Sequence, residues 1–249
     1  MRKPIIAGNW KMNNGPKETA EFLSTFKASY KNKNSAEVVL APPFCSLAAA
    51  KEGTAGTEIR LSAQNVYYQD NGAYTGEISC RMLKELGVQY VIIGHSERRH
   101  VLGEINELIN RKTLKVIAED LIPILCVGEK LDEREAGITE KVVNLQLEKG
   151  VQNIPADKIG QIVIAYEPVW AIGTGKNASA KDAEDVSKLI RDILAGLYNR
   201  ETADKVRILY GGSVKPENIT EYMKCSNVDG ALVGGASLKP DGFLKLLNY

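Results

Sequence analysis

Glu167 is the side chain of this sequence best placed for acid–base chemistry. It lies just after the apolar run 162–165, which is short enough to be a buried strand, and directly before Pro168, which favours an extended backbone at the glutamate. Two bulky apolar residues at 169–170 and small, glycine-containing residues at 171–175 follow. This composition predicts a flap with a stiff base that shields the carboxylate from water when it closes. An ordinary turn that leaves Glu167 solvated is the alternative.

His95 is the second candidate for moving protons. Gly94 before it allows the backbone to approach closely, and Ser96 after it is suited to cap the N-terminus of a short helix. A helix N-terminus disfavours positive charge, so we expect a neutral imidazole that donates its N–H to a polarised carbonyl. A structural histidine held by hydrogen bonds at a strand end is the alternative, and we assign that role to His100.

Lys11 and several backbone amides could bind an anion. Lys11 and Asn9 are two residues apart in an extended segment, so their side chains point the same way, and the lysine could hold a phosphate or a developing oxyanion. Glycine-rich loops supply the other common phosphate ligands, their backbone N–H groups. The candidates are Gly211, Gly212, Ser213, Gly234, Gly235 and, in the flap, Gly173. A solvated lysine and tight turns are the simpler interpretations.

Eight short apolar segments alternate with helical patterns and would carry these residues. The predicted strands are residues 5–10, 38–41, 59–64, 90–94, 122–128, 162–165, 206–210 and 230–233. Apolar strands without alternation are buried on both faces, which is typical of a parallel sheet covered by helices. Eight such units in 249 residues predict an α/β fold, the closed (β/α)8 or TIM barrel, with eight parallel strands ringed by helices. A doubly wound open sheet is the competing architecture, although no G-x-G-x-x-G follows the first strand.

Apolar residues at helical spacing predict the buried faces of the helices. The predicted helices are residues 16–30, 44–51, 79–86, 104–118, 138–149, 180–197, 216–223 and 243–247. The inward residues that this spacing selects are Phe22, Leu23 and Phe26; Ile105, Leu108 and Ile109; Ile138, Val142 and Leu145; and Val186, Leu189, Ile190, Ile193 and Leu197. No linker interrupts residues 1–249, which predicts a single domain.

The polar candidates all follow predicted strands. Asn9 and Lys11 follow the first strand, His95 and Glu97 the fourth, and Glu167 the sixth. In a barrel the carboxyl ends of all the strands meet at one face, which is where such enzymes do chemistry. The convergence of these groups is a stronger signal than any one of them.

Composition excludes several classes of protein. The 32 basic and 31 acidic residues give a net charge of +1, so no general attraction to nucleic acid or to an anionic membrane is expected. No apolar run approaches the length of a membrane span, and the N-terminus has no signal-peptide pattern. Four separated cysteines and two histidines argue against a disulfide framework and a zinc site. Together these features predict a cytoplasmic protein.

Six motifs in this chain resemble those of the triosephosphate isomerase family. They are residues 9–11 (NWK), 72–77 (GAYTGE), 94–99 (GHSERR), 165–175 (AYEPVWAIGTG), 210–214 (YGGSV) and 234–238 (GGASL), in the family's order and spanning nearly the whole chain. The resemblance implies an isomerase that interconverts dihydroxyacetone phosphate and D-glyceraldehyde 3-phosphate without a cofactor or a metal.

The resemblance also implies a role for each matching residue. Glu167 would be the base that moves a proton between adjacent carbons, and neutral His95 would polarise the oxygens and shuttle their protons. Lys11 and Asn9 would stabilise the negative charge of the enediolate, and Glu97 would support the site. The phosphate would be held by the backbone amides of Gly173, Ser213, Gly234 and Gly235. This family uses the loop after the third strand for assembly, so the Asn65–Glu77 loop, with Thr75 at its tip, would insert into a second copy and form a homodimer. A mobile surface loop is the alternative.

Two other functions are compatible with parts of this pattern. A Schiff-base aldolase could use Lys11 as its nucleophile, but that chemistry needs a lysine with a depressed pKa in an apolar pocket, and polar Asn9 lies beside Lys11. A non-catalytic sugar-phosphate-binding protein would not need Glu167. Neither alternative accounts for a flap, an acid and an imidazole that converge.

Overall fold

The computed structural model describes residues 2–30, 36–172 and 178–249. In these residues eight parallel strands close into a barrel, in which each strand pairs with the next and the last pairs with the first. The strands are β1 (Ile5–Asn9), β2 (Glu37–Ala41), β3 (Arg60–Ala63), β4 (Val88–Ile93), β5 (Ile122–Val127), β6 (Val163–Tyr166), β7 (Arg207–Tyr210) and β8 (Gly230–Val233). The predicted α/β class and closed TIM barrel are therefore confirmed, and the open-sheet alternative is excluded.

Helices lie between the strands along the described part of the chain. They are α1 (Pro16–Ser29), α2 (Leu47–Thr54), α3 (Cys80–Glu85), α4 (Ser96–His100), α5 (Asn106–Ala118), α6 (Leu131–Glu135), α7 (Thr139–Val151), α8 (Ala156–Ile159), α9 (Ala180–Leu197), α10 (Arg200–Ala203), α11 (Ile219–Met223) and α12 (Pro240–Leu246). None of these described helices is long and apolar enough to cross a bilayer. The short helices α6, α8 and α10 were not predicted, and α11 begins three residues later than predicted.

Alternate residues of each strand face two different cores. Ile5 and Ala7 of β1 belong to the cluster that fills the barrel, whereas Ile6 between them belongs to the cluster that the helices cover. Both faces of the strands are thus buried, which explains why the strands read as continuous apolar runs. In the register, Val127 lies opposite Tyr166 and Tyr166 opposite Tyr210, so β5, β6 and β7 end at the same level. The residues that follow them emerge at one face of the barrel.

Helix α7 packs through a face that its sequence did not predict. Its buried apolar residues are Val143, Leu147 and Val151. The three residues selected by spacing are exposed or half-buried, namely Ile138, Val142 and Leu145. Both sets recur at helical spacing, so periodicity alone cannot choose between them. The choice is made by Gly150, which lies against Leu125 of β5: a Cβ atom added there would be only 2.8 Å from the leucine side chain.

The other predicted helix faces are mostly correct. In α1, Phe22, Leu23 and Phe26 are buried as predicted. In α9, Val186 and Ile190 are buried, Leu189 and Ile193 are half-buried, and Leu197 at the end of the helix is exposed. In α5, Ile109 is buried and Leu108 half-buried, but Ile105 is exposed because it is the N-cap residue and precedes the helix.

Candidate active site

One cavity at the carboxyl end of the strands collects most of the predicted site residues. It has a volume of about 580 Å³. Its lining includes Asn9, Lys11, His95, Glu167, Ser213, Gly234 and Gly235. Glu97 is not part of the lining but reaches the cavity through Lys11. Gly173 lies outside the described residues.

Glu167 is held firmly at the tip of β6. Its backbone N–H donates to the Val127 carbonyl at 2.8 Å, which extends the β5–β6 ladder by one residue. Gly128 packs directly on its backbone, because a Cβ atom there would lie 1.8 Å from the Glu167 carbonyl oxygen. The carboxylate is 3% exposed; Oε1 lies 2.9 Å from His95 Nε2, and Oε2 accepts the Ser96 backbone N–H at 2.8 Å. Both carboxylate oxygens therefore have a hydrogen-bond partner on the segment after β4.

His95 itself caps helix α4, and the prediction that Ser96 would do so is wrong. His95 Nδ1 accepts the Glu97 backbone N–H at 3.3 Å, and His95 is the N-cap residue. The Ser96 backbone N–H is directed to Glu167 instead. Because Nδ1 accepts a hydrogen bond from the backbone, the proton of the neutral imidazole resides on Nε2, which faces the carboxylate.

The charges of Glu167 and His95 are coupled. Burial raises the pKa of Glu167. The charge and hydrogen bond of His95 and the N–H of Ser96 lower it by more, so the pKa lies below its usual value. Burial lowers the pKa of His95, but the Glu167 carboxylate raises it, and the net direction is upward. The sequence-based expectation of a neutral imidazole considered only the helix N-terminus and omitted this carboxylate. Once the carboxylate moves away, the contribution that raises the pKa of His95 is lost.

Lys11 is positioned by polar neighbours on two strands. Its backbone is in the left-handed region, with φ of 53°, so the prediction of an extended segment through Lys11 is wrong. This conformation costs a non-glycine residue about 1–3 kcal/mol. Asn9 Oδ1 accepts the Lys11 N–H at 3.0 Å, and the Gln64 side chain donates to the Lys11 carbonyl at 2.8 Å. The Nζ atom donates to Glu97 Oε1 at 2.6 Å. Gln64, which the sequence placed only at the end of the third strand, thus holds the backbone of Lys11.

The ends of β7 and β8 form the part of the cavity wall that adjoins the end of β1. A single turn of 3-10 helix at Gly235–Ser237 begins there, with Gly234 as its N-cap residue. A side chain on Gly234 would approach Lys11 Cε to 3.5 Å, whereas nothing lies within 4 Å of a Cβ atom on Gly235. The backbone at this position is therefore open to the cavity and could bind an anion of the size of a phosphate.

Sequence reasoning missed Glu129, which holds the base of the predicted flap. This carboxylate is fully buried and accepts hydrogen bonds from the Tyr166 hydroxyl at 3.1 Å and from Trp170 Nε1 at 2.9 Å. Arg134 lies over the Trp170 ring, 4.6 Å from its centroid, and pairs with Glu129 at 3.4 Å. Glu129 begins a charged segment that looks solvent-exposed in the sequence. Its position directly after β5 was the available signal.

A metal site is not apparent at this face. The described residues contain no group of three or more histidine, cysteine, aspartate or glutamate side chains that could hold a metal ion. The four cysteines, all of them in the described ranges, are free thiols. The cavity presents acid, imidazole, ammonium and backbone amide groups, which together suit proton transfer on a small anionic substrate.

Comparisons with known proteins agree with this geometry. The family model described as triosephosphate isomerase matches residues 4–249. The chain is 53% identical over 249 residues to the triosephosphate isomerase of Thermoanaerobacter sp. (strain X514), and each chain is covered completely. It is 53% identical over 243 residues to that of Dictyoglomus turgidum, with 98% of each chain covered. It is 49% identical to that of Ligilactobacillus salivarius over 249 residues, with 100% of this chain and 99% of the relative covered.

Proposed function

The chain belongs to the triosephosphate isomerase family and is an isomerase, and from this premise we propose how its cavity interconverts dihydroxyacetone phosphate and D-glyceraldehyde 3-phosphate. The reaction moves a proton between two adjacent carbons through an enediol or enediolate. A carbon acid next to a carbonyl is too weak to lose its proton to a carboxylate in water. The step becomes accessible when preorganised donors meet the forming oxyanion in a cavity from which water is excluded.

Glu167 is the base of this proposal. Its carboxylate is buried and ionised, with a pKa held below the usual value, and it faces the cavity beside His95. Both oxygens are engaged by His95 and Ser96, so the carboxylate must leave these partners to reach a substrate carbon. Substrate that enters between the acid and the imidazole would break the 2.9 Å contact and free the base. Until substrate enters, the contacts with His95 and Ser96 hold the carboxylate in place.

His95 is the electrophile. Its Nε2–H points toward the cavity side occupied by Glu167, and its Nδ1 is held by the Glu97 N–H. The backbone donor disfavours a proton on Nδ1, so the ring acts as a neutral N–H donor once the carboxylate has moved. A neutral imidazole can donate a proton to the enediolate oxygen and take it back from the neighbouring oxygen. This exchange completes the isomerisation without a net change of the ring.

The remaining residues bind charge. Lys11 and Asn9 lie on the same strand end and would stabilise the enediolate, while Glu97 holds the ammonium of Lys11. The phosphate would be bound beside them, between the ends of β7 and β8, since β8 pairs with β1. Its ligands in this proposal are the backbone amides of Ser213, Gly234 and Gly235, which line the cavity, and that of Gly173. The ion pair with Glu97 also argues against the aldolase alternative, because a Schiff-base lysine must lose its charge.

The observation that carries the proposal is the 2.9 Å contact between Glu167 and His95, both nearly fully buried, in a cavity lined by backbone glycines. The test is a coupled assay on D-glyceraldehyde 3-phosphate that compares the wild-type chain with Glu167→Gln. The variant keeps the size of the side chain but cannot act as a base, so we expect only trace activity. Turnover of Glu167→Gln near the wild-type rate would refute the assignment, and a substrate adduct trapped by borohydride would favour the aldolase.

We also propose that two copies assemble through the Asn65–Glu77 loop, in a cytoplasmic, single-domain protein. Residues 69–77, including Thr75, are exposed, as are several large apolar side chains. These are Met12, Tyr74, Met82, Val101, Leu102 and Ile105. Sedimentation velocity should find a dimer, and Thr75→Arg should shift it toward the monomer with loss of activity. A wild-type monomer with full activity at nanomolar concentration would overturn this assembly.

A further inference from the structure

Arg99 donates hydrogen bonds back to the short segment that carries His95. Its backbone N–H donates to the His95 carbonyl at 3.0 Å, and its side-chain Nε donates to the Gly94 carbonyl at 2.8 Å. These two carbonyls belong to the peptide groups on either side of the His95 Cα atom. A single arginine therefore fixes both peptide planes from which the direction of the imidazole follows.

The other two nitrogens of the guanidinium reach neighbouring elements. Nη2 donates to the Cys126 carbonyl of β5 at 3.0 Å, and Nη1 donates to the Asn106 side chain at the start of α5 at 2.7 Å. The β4–β5 pairing extends to Ile93 opposite Leu125. The side chain of Arg99 thus connects the next two residues of these strands, Gly94 and Cys126, beyond the end of the ladder.

From Cys126 the connection to Glu167 is short. Cys126 pairs with Ala165 in the β5–β6 ladder, and the next residue, Val127, accepts the Glu167 N–H at 2.8 Å. Arg99 and Glu167 also line the same narrow hollow, which is too small to hold a water molecule. The guanidinium therefore lies at the joint between the strand end that carries the imidazole and the strand end that carries the acid.

The geometry needs arginine at this position. Its three hydrogen-bond acceptors lie in three directions around one planar guanidinium, which offers five N–H donors in a fixed fork. The ammonium of a lysine is a single point and cannot span the Gly94 and Cys126 carbonyls in the same way. Gly94 is adapted to the contact as well, because its φ is +68° and a Cβ atom there would lie 3.0 Å from Arg99 Nη2.

We propose that Arg99 is a positioning residue that sets the distance between the His95 ring and the Glu167 carboxylate by clamping the ends of β4 and β5. The inference rests on the proposed proton-transfer function of this pair. Arg99 does not line the cavity. Its side chain donates to Gly94, Asn106 and Cys126 and not to the proposed phosphate ligands after β7 and β8. Its effect should therefore appear in the chemical step and not in the binding of anions.

The test is Arg99→Lys, which keeps the charge and the length of the side chain but loses the fork. We expect kcat to fall about 10- to 100-fold, because displacement of a reacting group by about 1 Å has an effect of that order. KM for D-glyceraldehyde 3-phosphate and the inhibition constant of inorganic phosphate should stay within about twofold, since the proposed phosphate ligands lie on β7 and β8. Unfolding of part of the protein would also lower the apparent kcat alone, so kcat is calculated per folded molecule, with the folded fraction measured by circular dichroism. A general loosening of the site would move all three constants together.

Arg191→Lys is the matched control. Arg191 is buried, whereas Arg99 is half-buried, and its guanidinium likewise donates to backbone carbonyls, those of Ala203, Val206 and Asn227, but it does so at the amino ends of β7 and β8. The same substitution there should lower the melting temperature and leave kcat within about twofold. Arg191→Lys therefore reports what the loss of a guanidinium that bridges backbone carbonyls does in general. Any additional fall in kcat in Arg99→Lys reports the loss of the bridge at the ends of β4 and β5.

Each outcome decides the proposal. A wild-type kcat in Arg99→Lys overturns the proposal. So does a fall in kcat that is accompanied by equally large increases in KM and in the inhibition constant of phosphate. If Arg99→Lys does not fold, Asn106→Ala removes one acceptor of the same guanidinium, and we expect a severalfold fall in kcat with unchanged KM; an unchanged kcat would again overturn it. A wild-type chain without isomerase activity would instead refute the proposed function, which is measured first.

Discussion

Glu37 at the amino end of the barrel and Glu167 at its carboxyl end are both carboxylates largely withdrawn from water, and they differ in their partners. At the amino end, Glu37 accepts the Tyr90 hydroxyl at 2.7 Å and Arg207 Nη1 at 2.8 Å. At the carboxyl end, Glu167 has a histidine and a backbone N–H as its partners. A cavity of about 500 Å³ lies beside Glu37 as well, so space alone does not distinguish the two ends.

The difference lies in whether the partner can change. The Arg207 guanidinium keeps its charge at any pH that the protein meets, so the pairing at Glu37 is permanent. The His95 imidazole can gain or lose a proton near neutral pH, and the Ser96 N–H carries no net charge, so Glu167 can leave both. Buried charge with fixed partners stabilises the fold, while buried charge with exchangeable partners can be used for chemistry. The variants below test this distinction, beginning with the largest expected effect.

Asp229→Asn should cause the largest loss, and the loss should be in stability alone. Asp229 accepts Arg191 Nη2 at 3.0 Å and Arg2 Nε at 2.6 Å, and its Oδ2 also accepts the Ile208 N–H. Removing one member of a buried ion pair leaves the other charge uncompensated and costs about 3–5 kcal/mol. Urea unfolding at 25 °C measures the loss, and kcat of the folded fraction should be unchanged. Asp192→Asn serves as the control, because the Asp192 side chain is 39% exposed. A large fall in kcat of folded Asp229→Asn would show that the two ends are not independent.

Glu167→Asp should give the reverse result. The carboxylate is retained but withdrawn by one methylene from the substrate carbon, so we expect kcat to fall about a hundredfold or more, equivalent to about 2.7 kcal/mol. The free energy of unfolding should change by less than about 1 kcal/mol, because the new side chain is smaller and still polar. The coupled assay and urea unfolding provide the two numbers. Near-wild-type kcat would contradict the assignment of the base.

Glu37→Gln tests the permanent pair through pH. Burial raises the pKa of Glu37, but the hydrogen bonds from Tyr90 and Arg207 outweigh it and lower the pKa below its usual value of 4.5. Ionised Glu37 therefore stabilises the fold fully above about pH 4.5, and this contribution is lost as the pH falls through the lower, folded-state pKa. The wild type should exceed the variant by about 2 kcal/mol at pH 7, and the difference should shrink toward pH 3. A difference that grows with acid would reverse the sign of the argument.

The elements that sequence predicted best carry redundant local signals. Helix α9 was placed at its observed bounds from its amphipathic stripe, and the structure shows a capping box at the same start, in which Ser179 and Asp182 bond each other's backbone. Strand β8 also has its predicted bounds, since glycines flank a short apolar run. The inward face of α7 was wrong because two apolar stripes compete on one helix. The close approach of Gly150 to Leu125, which decides between them, is a tertiary contact that periodicity does not contain.

The site divides in the same way. Residues that touch the cavity could be selected, because each follows a strand and has a reactive or anion-binding group. Arg99 could not, and Glu129 was missed although it follows β5, because the importance of both residues comes from hydrogen bonds between segments that are distant in sequence. The cap of α4 was misassigned for a related reason: a serine suits an N-cap locally, but the Ser96 N–H is needed by Glu167, 71 residues away.

Glu97→Gln should have the smallest effect on stability, although it breaks one of the shortest ion pairs in the described chain. Glu97 Oε1 lies 2.6 Å from Lys11 Nζ, but the two side chains are 47% and 28% exposed, so solvent screens the pair. We expect the free energy of unfolding to change by less than about 0.5 kcal/mol. Glutamine keeps the shape of the side chain, and urea unfolding beside Glu37→Gln at pH 7 supplies a direct comparison. A loss above about 1.5 kcal/mol would show that the Lys11–Glu97 pair stabilises the fold as strongly as the permanent pairs of the amino end. That result would contradict the distinction between the two ends.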